Sequence, residues 1–214
     1  MARRAGLVPS RERDRPCQPK GLIRNPDFTF NGRNRRPPRD PVNALLSFVY
    51  TLLTNEVQSA ITAGGLDPYL GALHEIDYGR PSLACDLVEE YRAFLGDRMV
   101  LGLINRKTIS PDDFVYRKNP PAEYADEAEM KARRPVEMKA RRPVEMKARR
   151  PVEMKPGTCR AFIAAYEAQM AQTVTYPPLE KTITYRWLIM NQVRRFGEFL
   201  ENPDTAYQPF VWEI

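Results

Sequence analysis

His74 is the only histidine of the chain, and it precedes two carboxylates, Asp86 and Glu89, that stand one helical turn apart. An imidazole brought by a loop toward two acids on one helix face is a compact arrangement for a divalent metal, so this stretch is where chemistry would reside. The competing reading is that both acids face water and His74 is an ordinary hydrogen-bonded loop residue, since acids at i,i+3 are common on exposed helix faces.

Two elements must position the three residues. Asp40-Pro41 pairs an N-cap acid with proline at the first helical position, a strong start signal. Leu45, Leu46, Phe48, Val49, Leu52, Leu53, Val57, Ala60 and Ile61 then recur at helical spacing as far as Gly64-Gly65, which predicts a long buried helix. The following loop turns at Asp67-Pro68, carries a glycine at 71 that lets the backbone pack closely, and ends at His74. Ser82 opens the next helix, whose Leu83, Leu87, Tyr91 and Phe94 form one apolar stripe with Asp86 and Glu89 on its flank. Partial burial there makes two uncompensated carboxylates costly, and a bound cation relieves their repulsion.

Charge is distributed unevenly. Residues 1–40 hold eleven Lys or Arg against four acids, so the formal net charge of +6 comes from this arm and the body is nearly neutral. A basic arm on a neutral body suits a polyanion such as nucleic acid, and a solvated, disordered terminus is the plain alternative. Residues 129–152 are three identical copies of Glu-Met-Lys-Ala-Arg-Arg-Pro-Val. The period is too short for a solenoid unit and Pro135, Pro143 and Pro151 break any continuous helix, so the segment reads as an expanded surface loop. Cys17, Cys85 and Cys159 are odd in number and widely spaced, which fits neither a disulfide framework nor a cysteine zinc site and favours a reducing cytoplasm. No apolar run reaches membrane-spanning length.

Further along, Arg98–Asn105 continues the apolar pattern, Ser110-Pro111-Asp112-Asp113 signals a turn, and Phe114-Val115-Tyr116 is a short extended piece. Residues 160–170 and 184–200 read as helices, the second with a stripe of Tyr185, Leu188, Ile189, Val193, Phe196 and Leu200. Arg33, Arg35, Arg36 and Arg39 on the arm, and Arg186, Arg194 and Arg195 on the last helix, are candidate DNA-phosphate contacts, with solvated arginine an equal alternative. Trp187 and Trp212 read as core or interface anchors.

Taken together, the string from Asn31-Gly32-Arg33-Asn34-Arg35-Arg36 through Asp40-Pro41-Val42-Asn43, then Gly65-Leu66-Asp67-Pro68, Leu73-His74, and Ser82-Leu83 with Asp86-Leu87-Val88-Glu89, resembles the helical domain of the CRISPR-associated endonuclease that integrates new spacers. The likeness continues in Phe162 to Tyr166, Tyr185-Arg186, Gln192, Arg194 and Tyr207-Gln208-Pro209-Phe210. The resemblance implies an all-α catalytic domain, Mg2+ or Mn2+ as cofactor, and DNA integration and cleavage by phosphodiester transesterification. It places His74 and Glu89 on two metal ligands of that family and Asp86 on a further acidic position of the same active site. It also implies double-stranded and branched DNA as substrate, a homodimer, a small second adaptation protein that bridges two such dimers, and a prokaryotic cytoplasmic setting.

The family's third ligand is a glutamate in a Gly-x-Glu-Gly setting upstream of Asn31, and this sequence does not carry that setting. Glu12 lies in the corresponding region between unrelated neighbours, and the family's N-terminal β domain has no counterpart. The organisation expected is a disordered or degenerate basic arm at 1–27 and a helical integrase domain at 28–214 with the repeat insertion at 129–155. A non-catalytic DNA-binding or complex-forming fragment of the family is the alternative function.

Overall fold

The computed structural model describes residues 21–34, 37–71, 73–74, 77–117, 151–202, 204 and 206–211. The long helix begins where the capping signal places it. Helix α1, Pro41–Ala63, starts after Asp40, whose side chain accepts a hydrogen bond from the Asn43 backbone N–H, and stops at Gly64. Leu45, Val49, Leu53, Val57 and Ile61 line its buried face and form the centre of the core.

The second helical stretch is segmented. It runs as α2, Ser82–Leu87, and α3, Glu89–Tyr91, then a π-helical turn, Arg92–Asp97, and α4, Arg98–Asn105. The expected stripe of Leu83, Leu87, Tyr91 and Phe94 is buried. Helix α5, Pro156–Met170, and helix α6, Tyr185–Glu201, complete the bundle, with α6 packed along α1 and capped by the Thr184 hydroxyl. Of the stripe on α6, Tyr185, Leu188, Ile189 and Val193 are buried, whereas Leu200 is exposed on the last turn.

The domain is mostly helical, and the all-α expectation needs amending for two small antiparallel ladders. Strands β1, Phe114–Tyr116, and β2, Val152–Met154, pair with Phe114 opposite Met154 and Tyr116 opposite Val152. Strands β3, Thr173–Tyr176, and β4, Lys181–Thr184, form a hairpin around Pro177–Leu179. The alternation of threonine with Val174, Tyr176 and Ile183 on either side of two prolines was the sequence signal for that hairpin, and the helical pattern around it masked the signal.

The described edges of the arm and of the insertion make contacts with the helical body. Part of the arm at 1–27 is docked on the end of α4, because Asn105 accepts from the Arg24 N–H and donates to the Leu22 carbonyl, while the buried Asn25 donates to the Ile104 carbonyl. Residues 1–20 lie outside the described residues. The insertion at 129–155 ends in β2, where Val152 is fully buried and its N–H is bonded to the Pro38 carbonyl; residues 129–150 lie outside the described residues. Trp187 is 55% exposed, which removes it from the core, and Trp212 lies outside the described residues. No helix among the described residues is long and apolar enough to cross a membrane.

Candidate metal centre

The loop after α1 is tied down before it reaches His74. Asp67 closes a turn by accepting the Tyr69 N–H on its side chain and the Leu70 N–H on its carbonyl, and the Pro68 carbonyl accepts the Leu83 N–H at the start of α2. Gly71 then passes directly over that helix. A Cβ at this position would lie 2.6 Å from the Cβ of Ser82 and 3.0 Å from an Asp86 oxygen, so only glycine allows the approach.

That approach delivers His74 to Asp86. The ring Nδ1 of His74 lies 2.6 Å from Oδ1 of Asp86, and the backbone N–H groups of His74 and Leu73 donate to Oδ1 and Oδ2 at 2.9 and 3.0 Å. The Asp86 side chain is 5% exposed and that of His74 is 32% exposed. Since a carboxylate oxygen accepts, Nδ1 carries the hydrogen and Nε2 is the nitrogen left to bind a metal, the arrangement by which carboxylates orient metal-bound histidines.

Glu89 takes a different partner. Its carboxylate is bonded through Oε1 to the guanidinium of Arg92, one turn on, with the Glu89 side chain 45% exposed and Arg92 21% exposed. The two acids therefore do not share one role: Asp86 is committed to His74 and the loop backbone, and Glu89 stands at the surface with a cationic neighbour. The donor set fits a divalent cation in its chemistry, one imidazole nitrogen held in a fixed orientation and one accessible carboxylate. Among the described residues no group of three or more His, Cys, Asp or Glu side chains that could hold a metal occurs, so the structure brings Asp86 to His74 without gathering Glu89 into one shell with them.

Sequence reasoning missed the assembly beneath Glu89. The Arg92 guanidinium carbon lies 4.3 Å from the centroid of the Tyr50 ring on α1, and that of Arg33 lies 5.2 Å from the same centroid. The Tyr50 hydroxyl donates to the buried carboxyl of Asp97. Burial pushes the Tyr50 phenol up, reinforced by Asp97, and burial likewise pushes the Asp97 carboxyl up against the opposing pull of Tyr50, Arg92 and Arg33. The i,i+3 spacing of Glu89 and Arg92 was legible as an ion pair. Asp97 was not, because an α-helix would turn it away from Arg92, and only the wider π turn aligns residues five apart.

A further carboxyl, that of the partly buried Glu90, anchors the last described segment. Glu90 accepts from the Tyr207 hydroxyl at 2.5 Å, the Phe210 N–H at 3.1 Å and the Gln192 amide at 3.3 Å, which straps residues 206–211 across α3 and α6. Burial raises its carboxyl above the ordinary range, and these hydrogen bonds oppose the shift.

The candidate DNA contacts divide. Arg186 bridges Glu56 on α1 at 2.6 Å and Glu167 on α5 at 3.0 Å, so its charge joins three helices. Arg33 is turned inward, donating to the Asn43 side chain at 2.8 Å and to the Ser47 hydroxyl at 3.1 Å. Arg39 is exposed and lines a cleft of about 580 Å³ with Asn31, Arg33, Asp40 and Tyr116, and Arg194 is exposed on α6. Arg35 and Arg36 lie outside the described residues.

The family profile described as CRISPR associated protein Cas1 matches residues 19–133. CRISPR-associated endonuclease Cas1 3 of Thermus thermophilus is 37% identical over 185 residues, which is 86% of this chain and 46% of that protein. The chain thus spans about half the length of the relative it matches. Among solved structures, a casposase bound to an integration product superposes with a TM-score of 0.67 at 24% identity, covering 88% of this chain and 48% of that one. A chain of a partial Cas6-RT-Cas1–Cas2 complex gives 0.68 at 21%, covering 92% and 49%. At these identities the structural likeness is one of fold.

Proposed function

Because the chain belongs to the family of CRISPR associated protein Cas1, we propose that it is a metal-dependent DNA endonuclease and integrase of CRISPR adaptation, with its centre at His74, Asp86 and Glu89. The observation that carries this reading is the pairing of Asp86 with Nδ1 of His74 on a loop anchored by Gly71. That pairing holds Nε2 of His74 in a fixed orientation, and the exposed carboxylate of Glu89, paired with Arg92, is the second donor this reading recruits. His74 and Glu89 are the residues that would hold Mg2+ or Mn2+, and Asp86 acts through His74. When bound, such a cation stabilises the charge that develops on an attacked phosphate.

The reaction is an in-line displacement at phosphorus. A 3′-hydroxyl of incoming DNA forms the new P–O bond, the P–O bond to the departing 3′-oxygen breaks, and the proton of the attacking hydroxyl passes to the medium as the leaving oxygen gains one. Water in place of the hydroxyl gives cleavage. Exposed Arg39 and Arg194 supply cationic contacts for DNA phosphates. The casposase bound to an integration product supports a DNA substrate, and the complex that contains Cas2 supports a partner of that kind; the homodimer and the bridging role of the partner are part of the proposal.

The alternative, a DNA-binding or complex-forming unit without turnover, draws on one observation: among the described residues His74, Asp86 and Glu89 do not form a group that could hold a metal. The two readings separate in a cleavage assay on branched and linear DNA run with Mn2+, with Mg2+ and with chelator. Cleavage that requires the cation supports the enzyme. Salt-sensitive DNA binding by the folded chain without any cleavage supports the binding unit.

A further inference from the structure

Arg92 is held more firmly than the carboxylate it pairs with. Its guanidinium lies over the Tyr50 ring, within the field of Asp97, on a π-helical turn that packs against α1, and its side chain is 21% exposed. Glu89 is 45% exposed, and no other hydrogen bond of its side chain occurs among the described residues. In this ion pair the cation is the fixed member and the carboxylate the one able to turn.

We propose that Arg92 is a built-in cation that competes with a divalent metal for Glu89, so that the Arg92–Tyr50–Asp97 assembly sets how tightly the centre binds its metal. The inference rests on the reading that His74 and Glu89 hold that metal. The physical reason is direct. A divalent ion reaching Glu89 must draw the carboxylate away from a guanidinium that cannot follow it, and then remains beside a like charge. Arg92 does not lose its own compensation in the exchange, because the Tyr50 ring and the Asp97 carboxylate stay in place. Asp97 has the opposite influence to Arg92: it shares the guanidinium's charge and so loosens the hold on Glu89. Arg92 is accordingly a positioning residue, acting on the metal through Glu89.

The test is Mn2+ binding to the full chain, read as loss of the free-ion signal in electron paramagnetic resonance, with folding followed by far-ultraviolet circular dichroism. Arg92→Gln is expected to bind Mn2+ about tenfold more tightly than wild type, the lower end of what partners of metal ligands contribute. Arg92→Lys, which keeps the charge and loses the planar stack, stays nearer to wild type. Asp97→Asn binds more weakly. A merely structural role for Arg92 would not move R92Q and D97N in opposite directions. Equal or weaker binding by folded R92Q overturns the proposal; if R92Q does not fold, D97N decides it, and equal or tighter binding there overturns it. His74→Ala separates the underlying reading: Mn2+ binding unchanged by H74A, or absent from both wild type and R92Q, shows that the metal is not at this centre, and the proposal falls with it.

Discussion

Oδ1 of Asp86 accepts from His74 twice, from the backbone N–H at 2.9 Å and from ring Nδ1 at 2.6 Å. One buried carboxylate thus fixes both the course of the loop and the orientation of the imidazole it presents. An asparagine in its place would put an amide N–H₂ where one of these donors now points. Asp86→Asn is expected to lower metal-dependent cleavage about 10- to 100-fold, as loss of a partner behind a metal-bound histidine does. It should also cost roughly 1–3 kcal/mol in denaturant unfolding, because buried donors lose their acceptor. Wild-type rate and stability in D86N would show that the carboxylate organises nothing.

Arg186 and Arg194 lie two turns apart on α6 and should behave differently. Arg186 spans Glu56 and Glu167, is about half exposed, and so contributes on the order of 0.5–1 kcal/mol as a screened surface network. Arg186→Ala is predicted to lower thermal stability modestly and leave the salt dependence of DNA binding unchanged. Arg194→Ala should leave stability unchanged and reduce the salt slope by about 0.9, the effect of one phosphate contact. Binding titrations over a range of salt concentrations distinguish the two, and an equal change of slope in both variants would contradict the division.

The helices were legible because their signals are local. Asp40 and Pro41 start α1 by capping chemistry, Thr184 caps α6, and Leu83, Leu87, Tyr91 and Phe94 recur at a spacing that only a helix buries. The close approach at Gly71 and the delivery of His74 were legible for the same reason. What was not legible depends on partners distant in sequence or on a change of helical pitch. Tyr50 and Asp97, 47 residues apart, meet where α1 packs against the π turn that ends at Asp97. Arg186 carries no mark in the sequence that separates a helix-bridging arginine from a DNA-binding one. Spacing alone makes Asp86 and Glu89 equivalent acids on one helix flank, and the family resemblance separates them as a further acidic position and a metal ligand; their actual partners, His74 and Arg92, appear only in the structure.

Val152 closes the repeat and is fully buried in β2 opposite Tyr116, so the repeat is not energetically uniform. Val152→Ala is expected to cost about 2 kcal/mol, the usual scale for removing buried methyl groups. Deleting residues 129–144, two whole copies, is expected to leave the melting temperature nearly unchanged while keeping the copy that ends at Val152. A large loss of stability on deletion would assign the repeat a structural role that the charge pattern does not indicate.

Glu90 makes the strap at 206–211 pH-dependent. Burial holds its carboxyl above the ordinary value of 4.5, so the folded protein keeps this proton at pH values where the unfolded chain has released it. The contribution of Glu90 is fully present below 4.5 and is lost as pH rises through its raised folded value. The stability of wild type relative to Glu90→Gln should therefore fall from acid toward neutral pH in thermal melts. A difference that is constant, or that moves in favour of wild type over that range, would contradict the assignment.

The most direct test of the account is strand transfer and cleavage by the purified chain on branched DNA with Mn2+, alongside His74→Ala. The prediction is Mn2+-dependent product from wild type and none above background from the folded variant, because Nε2 of His74 is the orienting nitrogen of the centre. Activity that persists unchanged in His74→Ala would place the chemistry elsewhere and contradict the assignment of this site.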